Sequence, residues 1–125
     1  MNLLLDTHTL IWALENNPAL SDKARDAIID GQNIVFVSAV SIWEISIKKA
    51  MGKLHIPDNL IDEIKLHRFT MLNINAQHAM LAGELSAIHK DPFDRMLIAQ
   101  SKIEKLVLVS RDKMIAQYDV QLLIP

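Results

Sequence analysis

Four acidic residues, Asp6, Glu44, Asp94 and Asp112, stand where a parallel sheet would bring them together. Asp6 ends the apolar run Leu3-Leu4-Leu5, and Glu44 follows the strand-like run Ile34-Val35-Phe36-Val37. Asp112 follows Leu106-Val107-Leu108-Val109, and Asp94 opens the helix that leads into that run. Ligand sites in open α/β sheets form just outside the carboxyl ends of the strands. Converging carboxylates repel one another, so they either take up protons or hold cations. Hard oxygen donors in this number suit Mg²⁺ or Mn²⁺. Two such ions about 4 Å apart can activate a water and stabilise the leaving oxygen of a phosphodiester. Metal-assisted phosphate chemistry is therefore the expectation these residues raise.

Each acid also has a purely structural explanation. Asp6 and Asp112 are placed to cap the short helical segments that follow them. Glu44 can pair with Lys48 one helical turn on, worth a few tenths of a kcal/mol. Asp94 sits in a first helical turn, where the helix dipole favours acids. Asp94 resists that explanation best, because its neighbours on the same helix face are Leu97 and Ile98. An unpaired charge buried there is costly, so Asp94 needs a metal or another protein group as partner; Arg95 points about 100° away on a helix and serves poorly. Around the acids, Thr7, Ser38 and Ser110 lie near strand ends and can hydrogen-bond a phosphate or orient carboxylates. Arg95 belongs with Lys48, Lys49, Lys53, Arg111 and Lys113 to a basic rim, so Thr7, Ser38, Arg95 and Ser110 are the candidate substrate contacts. His8 reads as a surface or capping residue, His89 as a loop residue and Asp91 as a helix cap. Trp12 and Trp43 read as core residues rather than base-stacking platforms.

The elements that must position these groups alternate between short apolar runs and longer amphipathic stretches, the pattern of a parallel sheet with crossover helices. Strands are expected at Asn2–Leu5, Ile34–Val37, Phe69–Ile74 and Leu106–Val109, with a possible fifth at Val120–Ile124. Helical segments are expected at Thr9–Leu14, from a cap at Ser21 to near Gly31, from Ser41 to a terminating Gly52, and from a cap at Asp58 to about His67. Further ones run from Asn75 to about Ile88, from Asp91 to about Glu104, and from Asp112 to about Gln117. In the helix carrying Glu44, the spacing of Val40, Trp43, Ile47, Ala50 and Met51 predicts the core face, with Ser41, Glu44 and Lys48 as a polar stripe beside it. The fold class predicted is α/β: a three-layer α/β/α sandwich around a central parallel sheet of four to five strands.

At 125 residues, half of them hydrophobic, the chain is expected to form one domain with one good core. It has no apolar run long enough to span a membrane and no signal-peptide pattern at Met1–Asp6. Cysteine is absent, which excludes thiolate-bound zinc and fits a cytoplasmic location. The net charge of −2 gives no global footprint for nucleic acid, so any such contact must be local. No glycine-rich phosphate loop is present.

Four stretches resemble the acidic motifs of the PIN-domain ribonucleases, in particular the VapC toxins of type II toxin–antitoxin systems. They are Leu3-Leu4-Leu5-Asp6-Thr7-His8, Ser38 to Ile45 around Glu44, His89 to Gln100 around Asp94, and Val109-Ser110-Arg111-Asp112. The third is the most specific, and in the fourth Ser110 stands where threonine is frequent. The resemblance implies a PIN-like fold and endoribonuclease activity, with Asp6, Glu44, Asp94 and Asp112 holding Mg²⁺ or Mn²⁺. It further implies products with 5′-phosphate and 3′-hydroxyl ends, a structured RNA target such as tRNA or rRNA, a homodimer, and a cognate antitoxin. Two other readings stand beside it: a PIN-like domain that only binds, and a receiver-like aspartate phosphotransfer domain. The latter would want a second acid beside Asp6 and a lysine after the last strand, and neither is present.

Overall fold

The computed structural model describes residues 1–125. Its centre is strand β1, Asn2–Leu5, in which Leu3, Leu4 and Leu5 are completely buried. Strands β2 (Ile34–Ser38), β3 (Thr70–Leu72), β4 (Val107–Val109) and β5 (Leu122–Leu123) join it in one parallel sheet ordered β3-β2-β1-β4-β5. Leu5 is level with Val37 on one side and with Val109 on the other. That register places residues 6, 38 and 110 along the same carboxyl edge. The chain turns to opposite sides of β1 when it enters β2 and β4, so the β1/β4 boundary is a topological switch point, where such sheets form ligand crevices.

The pleat divides the core in two. Leu3 and Leu5 face a cluster that includes Leu10, Ala24, Val37, Ile45 and Ile64. This is the side of helices α1 (Thr7–Glu15), α2 (Asp22–Ile29) and α4 (Leu60–Leu66). Leu4 faces the other cluster, with Leu97, Ile98, Leu108 and Ile115. Helix α6 (Pro92–Glu104) covers that side, and α5 (Ala76–Glu84) packs along α6. Helix α3 (Ala39–Ala50) follows β2 directly and belongs to both clusters, through Val40 on one side and Ile45 on the other. The three layers and the five parallel strands are those expected from the sequence.

Several helix signals act as read. Ser21 caps α2, Asn75 and His78 form a reciprocal capping box on α5, and Asp91 with Pro92 starts α6. Gly52 follows α3 at φ +72°, a conformation that costs glycine little. Others do not. Asp58 caps nothing: it pairs with Lys49, which holds its carboxyl below the ordinary range by hydrogen bond and charge, and α4 starts two residues later. Helix α5 stops at Glu84 rather than near Ile88, because Arg95 takes the backbone carbonyls just beyond it. Helix α1 starts at Thr7 rather than Thr9, since Asp6 itself caps it. The expected last helix is a single 3-10 turn, Ile115–Gln117, and β3 and β5 are shorter than expected.

The phase of α3 differs most from expectation. Its buried residues are Val40, Ser41, Glu44 and Ile45, whereas Trp43, Ala50 and Met51 are exposed. Trp43, 58 % exposed, rests edge-on against Phe93 with ring centroids 5.2 Å apart. The supposed polar stripe is the inward face, because α3 crosses the end of the sheet where the acids gather. Ile45→Ala should therefore cost about 2–5 kcal/mol, and Trp43→Ala about 1 kcal/mol or less. Urea unfolding of the two variants checks this; equal losses would contradict the phase described.

Candidate active site

Asp6, Glu44, Asp94 and Asp112, from four separate segments, line one cleft of about 380 Å³ at the carboxyl edge of the sheet. Thr7, His8, Trp12, Lys48, Asp91 and Arg111 are also on its wall. The structural and the chemical explanations of these acids turn out to be compatible, because a carboxylate has two oxygens.

Asp6 directly follows β1, and its backbone N–H continues the pairing by donating to the Val109 carbonyl at 3.1 Å. Its Oδ1 accepts the Thr9 N–H at 2.8 Å, capping α1, and leaves Oδ2 without a protein partner. Asp112 repeats the arrangement after β4: Oδ1 accepts the N–H groups of Met114 and Ile115 at 2.7 and 3.3 Å. Its Oδ2 faces His89 Nε2 at 3.4 Å. Glu44, only 6 % exposed, is held at both oxygens. Thr7 Oγ1 donates to Oε1 at 2.6 Å, and Lys48 Nζ donates to Oε2 at 2.5 Å.

Asp94 is on the first turn of α6, above the fully buried Leu97 and Ile98. Its Oδ2 lies 2.9 Å from His89 Nε2, which supplies the partner that burial requires. Burial and the neighbouring Asp91 charge push the Asp94 carboxyl up to about 7; His89 opposes the rise and Asp112 adds to it. Oxygens of Asp94 and Asp112 and a ring nitrogen of His89 all fall within 4.8 Å of one another. Asp6 and Glu44 share the cleft but not that tight group. His89 read as a loop residue in the sequence. Only its position just ahead of the Asp91-Pro92 helix start, on the same side as Asp94, hinted otherwise.

The four secondary candidates separate. Thr7 is on the cleft wall and orients Glu44. Ser38 and Ser110 are completely buried and are not on that wall. Ser38 Oγ caps α3 through the Val40 N–H, and Ser110 Oγ accepts the Asp112 N–H at 3.1 Å. Of the two roles expected, contacting a phosphate or orienting carboxylates, their burial and partners favour the second. Arg95 leaves the cleft altogether: its guanidinium donates to the carbonyls of Ala82, Gly83, Leu85, Ser86 and His89. The basic groups that do reach the cleft are Lys48 and Arg111. Trp12, expected in the core, does pack against it half-buried, and its outer part lines the cleft with the Arg111 guanidinium 4.4 Å above its ring.

The donors fit a hard divalent cation. They are carboxylate oxygens on one cleft wall; Asp6, Asp94 and Asp112 each keep one oxygen without a full hydrogen bond, and burial beside Asp91 raises the Asp94 carboxyl. Asp6, Asp94, Asp112 and Glu44 are the residues that would hold it.

Residues 3–121 match the family model described as PIN domain. Among solved structures, the chain is similar to VapBC2 from Rickettsia felis, crystallised on a DNA fragment from its promoter (14 % identity, 98 % of each chain covered, TM-score 0.73). It is also similar to DNA-bound VapBC from Salmonella typhimurium (18 % identity, 98 % of this chain and 97 % of that one, TM-score 0.71). VapBC-1 from nontypeable Haemophilus influenzae aligns at 20 % identity over 98 % and 97 % of the two chains, with TM-score 0.65. At these identities the likeness is one of fold. No curated protein sequence matches the chain significantly.

The raised Asp94 carboxyl has a consequence for stability. An acid harder to ionise in the folded chain than in the unfolded one favours folding while it is protonated. Its contribution is complete below the ordinary value of 3.8 and is lost as pH rises to about 7, a difference of up to about 4 kcal/mol. In EDTA, stability from urea unfolding should fall more steeply over that window for the unsubstituted chain than for Asp94→Asn. Parallel pH profiles would refute this.

Proposed function

The chain belongs to the PIN domain family, and from that premise we propose that it is a divalent-metal-dependent endoribonuclease and the toxin of a toxin–antitoxin pair. One observation carries the proposal above all: four carboxylates from distant segments meet in one cleft at the carboxyl edge of the sheet. A core cap or surface ion pair needs no such convergence. A bound Mg²⁺ or Mn²⁺ would supply an activated water and neutralise charge developing on the scissile phosphate.

The chain's own residues prepare the site for that chemistry. Backbone N–H groups fix one oxygen each of Asp6 and Asp112, so the other oxygen is offered to the cleft with little freedom left to lose. Glu44 differs, since Thr7 and Lys48 between them hold both of its oxygens. Lys48, paired with Glu44, and Arg111, which donates to the Ala19 and Pro125 carbonyls and covers the Trp12 ring, are the cations on the cleft wall nearest an incoming phosphate. Hydrolysis adds water across the P–O bond and leaves a 5′-phosphate and a 3′-hydroxyl. We take structured cellular RNA, tRNA or rRNA, as the substrate class, and the cytoplasm as the place of action. No helix of the chain is long and apolar enough to cross a membrane.

The VapBC neighbours support a cognate antitoxin as partner, and an acidic cleft suits inhibition by a basic side chain inserted from it. A homodimer belongs to the same proposal. The receiver-like alternative fits less well, since receivers use the strand order 2-1-3-4-5 and this sheet is ordered β3-β2-β1-β4-β5.

Purified chain freed of any partner should cut total cellular RNA into discrete fragments with Mg²⁺ or Mn²⁺ and not with EDTA. Asp94→Ala should lower the rate by at least about 100-fold, more than loss of an outer-shell group would. Metal-independent cutting, or full activity in Asp94→Ala, would reject the mechanism; folded, inactive protein that still binds RNA would favour a binding domain.

A further inference from the structure

His89 is engaged at every polar atom. Its backbone N–H donates to Tyr118 Oη at 2.9 Å, and its carbonyl accepts from Arg95 Nη1 at 3.0 Å. Tyr118 Oη in turn donates to the Ser86 carbonyl at 2.6 Å. Arg95 grips the same loop through the carbonyls of Leu85 and Ser86. Arginine and tyrosine thus lash the segment between α5 and α6 down from two directions. The ring that this segment carries is only 14 % exposed and reaches both Asp94 and Asp112.

The ring's tautomer follows from its neighbours. The Asp91 backbone N–H points at Nδ1 at 3.4 Å, and a backbone N–H can only donate, so Nδ1 accepts. The ring proton is then on Nε2, directed at Asp94 Oδ2 at 2.9 Å. A nitrogen carrying a proton has no lone pair to give a cation. We infer that His89 is a positioning residue that fixes Asp94 through Nε2–H, leaving Asp94 Oδ1 as the oxygen offered to the ion, and that Arg95 and Tyr118 hold His89 in place for this. The inference rests on the reading of the cleft as a divalent-cation site. It makes Tyr118, which lies outside all four acidic motifs, part of the metal site's support.

The test is Mn²⁺ binding to the full, partner-free chain by titration calorimetry, with Asp94→Asn as control. His89→Ala should bind Mn²⁺ at least about 10-fold more weakly, the usual cost of removing an outer-shell partner. His89→Gln, which keeps an N–H donor at similar reach, should restore most of that loss. Tyr118→Phe, which leaves the ring intact but frees its loop, should weaken binding several-fold, and it carries the test if His89→Ala does not fold. Nitrogen-15 spectra of the metal-free chain should place the His89 proton on Nε2.

Binding to His89→Ala as tight as to the unsubstituted chain, or tighter, would overturn the inference, the latter by making the ring a competitor of the ion. A proton on Nδ1 together with no rescue by glutamine would overturn it too, by making His89 a direct ligand. No Mn²⁺ binding by the unsubstituted chain, or binding indifferent to Asp94→Asn, would instead remove the cation site itself and the inference with it.

Discussion

Like charge crowded at one edge of the sheet is the constraint around which the rest of this molecule is arranged. Four carboxylates share a cleft with a fifth, Asp91, on its wall, and each must be restrained against its neighbours' repulsion. The fold restrains them with groups that are already there. Helices α1 and α6 and the 3-10 turn all begin at this edge, and their first N–H groups are donors in need of acceptors. Asp6, Asp91 and Asp112 supply those acceptors with one oxygen each. Capping and site-building are thus one interaction seen from two sides.

The central position of β1 follows from the same constraint. A strand buried on both faces and flanked in register by β2 and β4 gives Asp6 a fixed origin, from which residues 38 and 110 are one strand spacing away. Ser38 and Ser110, buried at those points, then start α3 and direct Asp112 by hydrogen bonds from within the core. Across this edge α3 lies with its polar face inward. That inversion would be unfavourable for a helix against an apolar layer, but here Ser41 and Glu44 meet Thr7, and Lys48 closes the pair.

Among these acids Asp94 is the one whose surroundings most oppose its charge. Asp94 remains in a setting where burial and the neighbouring Asp91 charge resist its ionisation. Residues so placed persist only where the surroundings over-determine them. The Arg95 and Tyr118 grip on the loop before α6 supplies that over-determination, spending a guanidinium on backbone carbonyls rather than on substrate.

Much of this was legible in the residues alone. Apolar runs fixed the strands, Asp91-Pro92 and Asn75 marked helix starts, and Leu97 and Ile98 beside Asp94 signalled a buried acid, because all of these depend on neighbours within a turn or a strand. The convergence of Asp6, Glu44, Asp94 and Asp112 was readable for the same reason: parallel sheets put strand ends on one edge. What depended on contacts between distant segments was not. The apolar count on α3 favoured Trp43 as core, yet the layer that α3 meets is polar, and this turns Trp43 out. Asp58 had a cap's position but found Lys49 nearer, and Arg95 looked like rim but found five carbonyls. His89 heads the third motif yet reads locally as a loop residue; only the fold encloses it with Tyr118, Arg95 and the Asp94–Asp112 pair. Local periodicity and capping chemistry determine where elements begin and which edge they share, whereas the partner of each polar side chain is chosen by proximity in three dimensions, which only the packed fold defines.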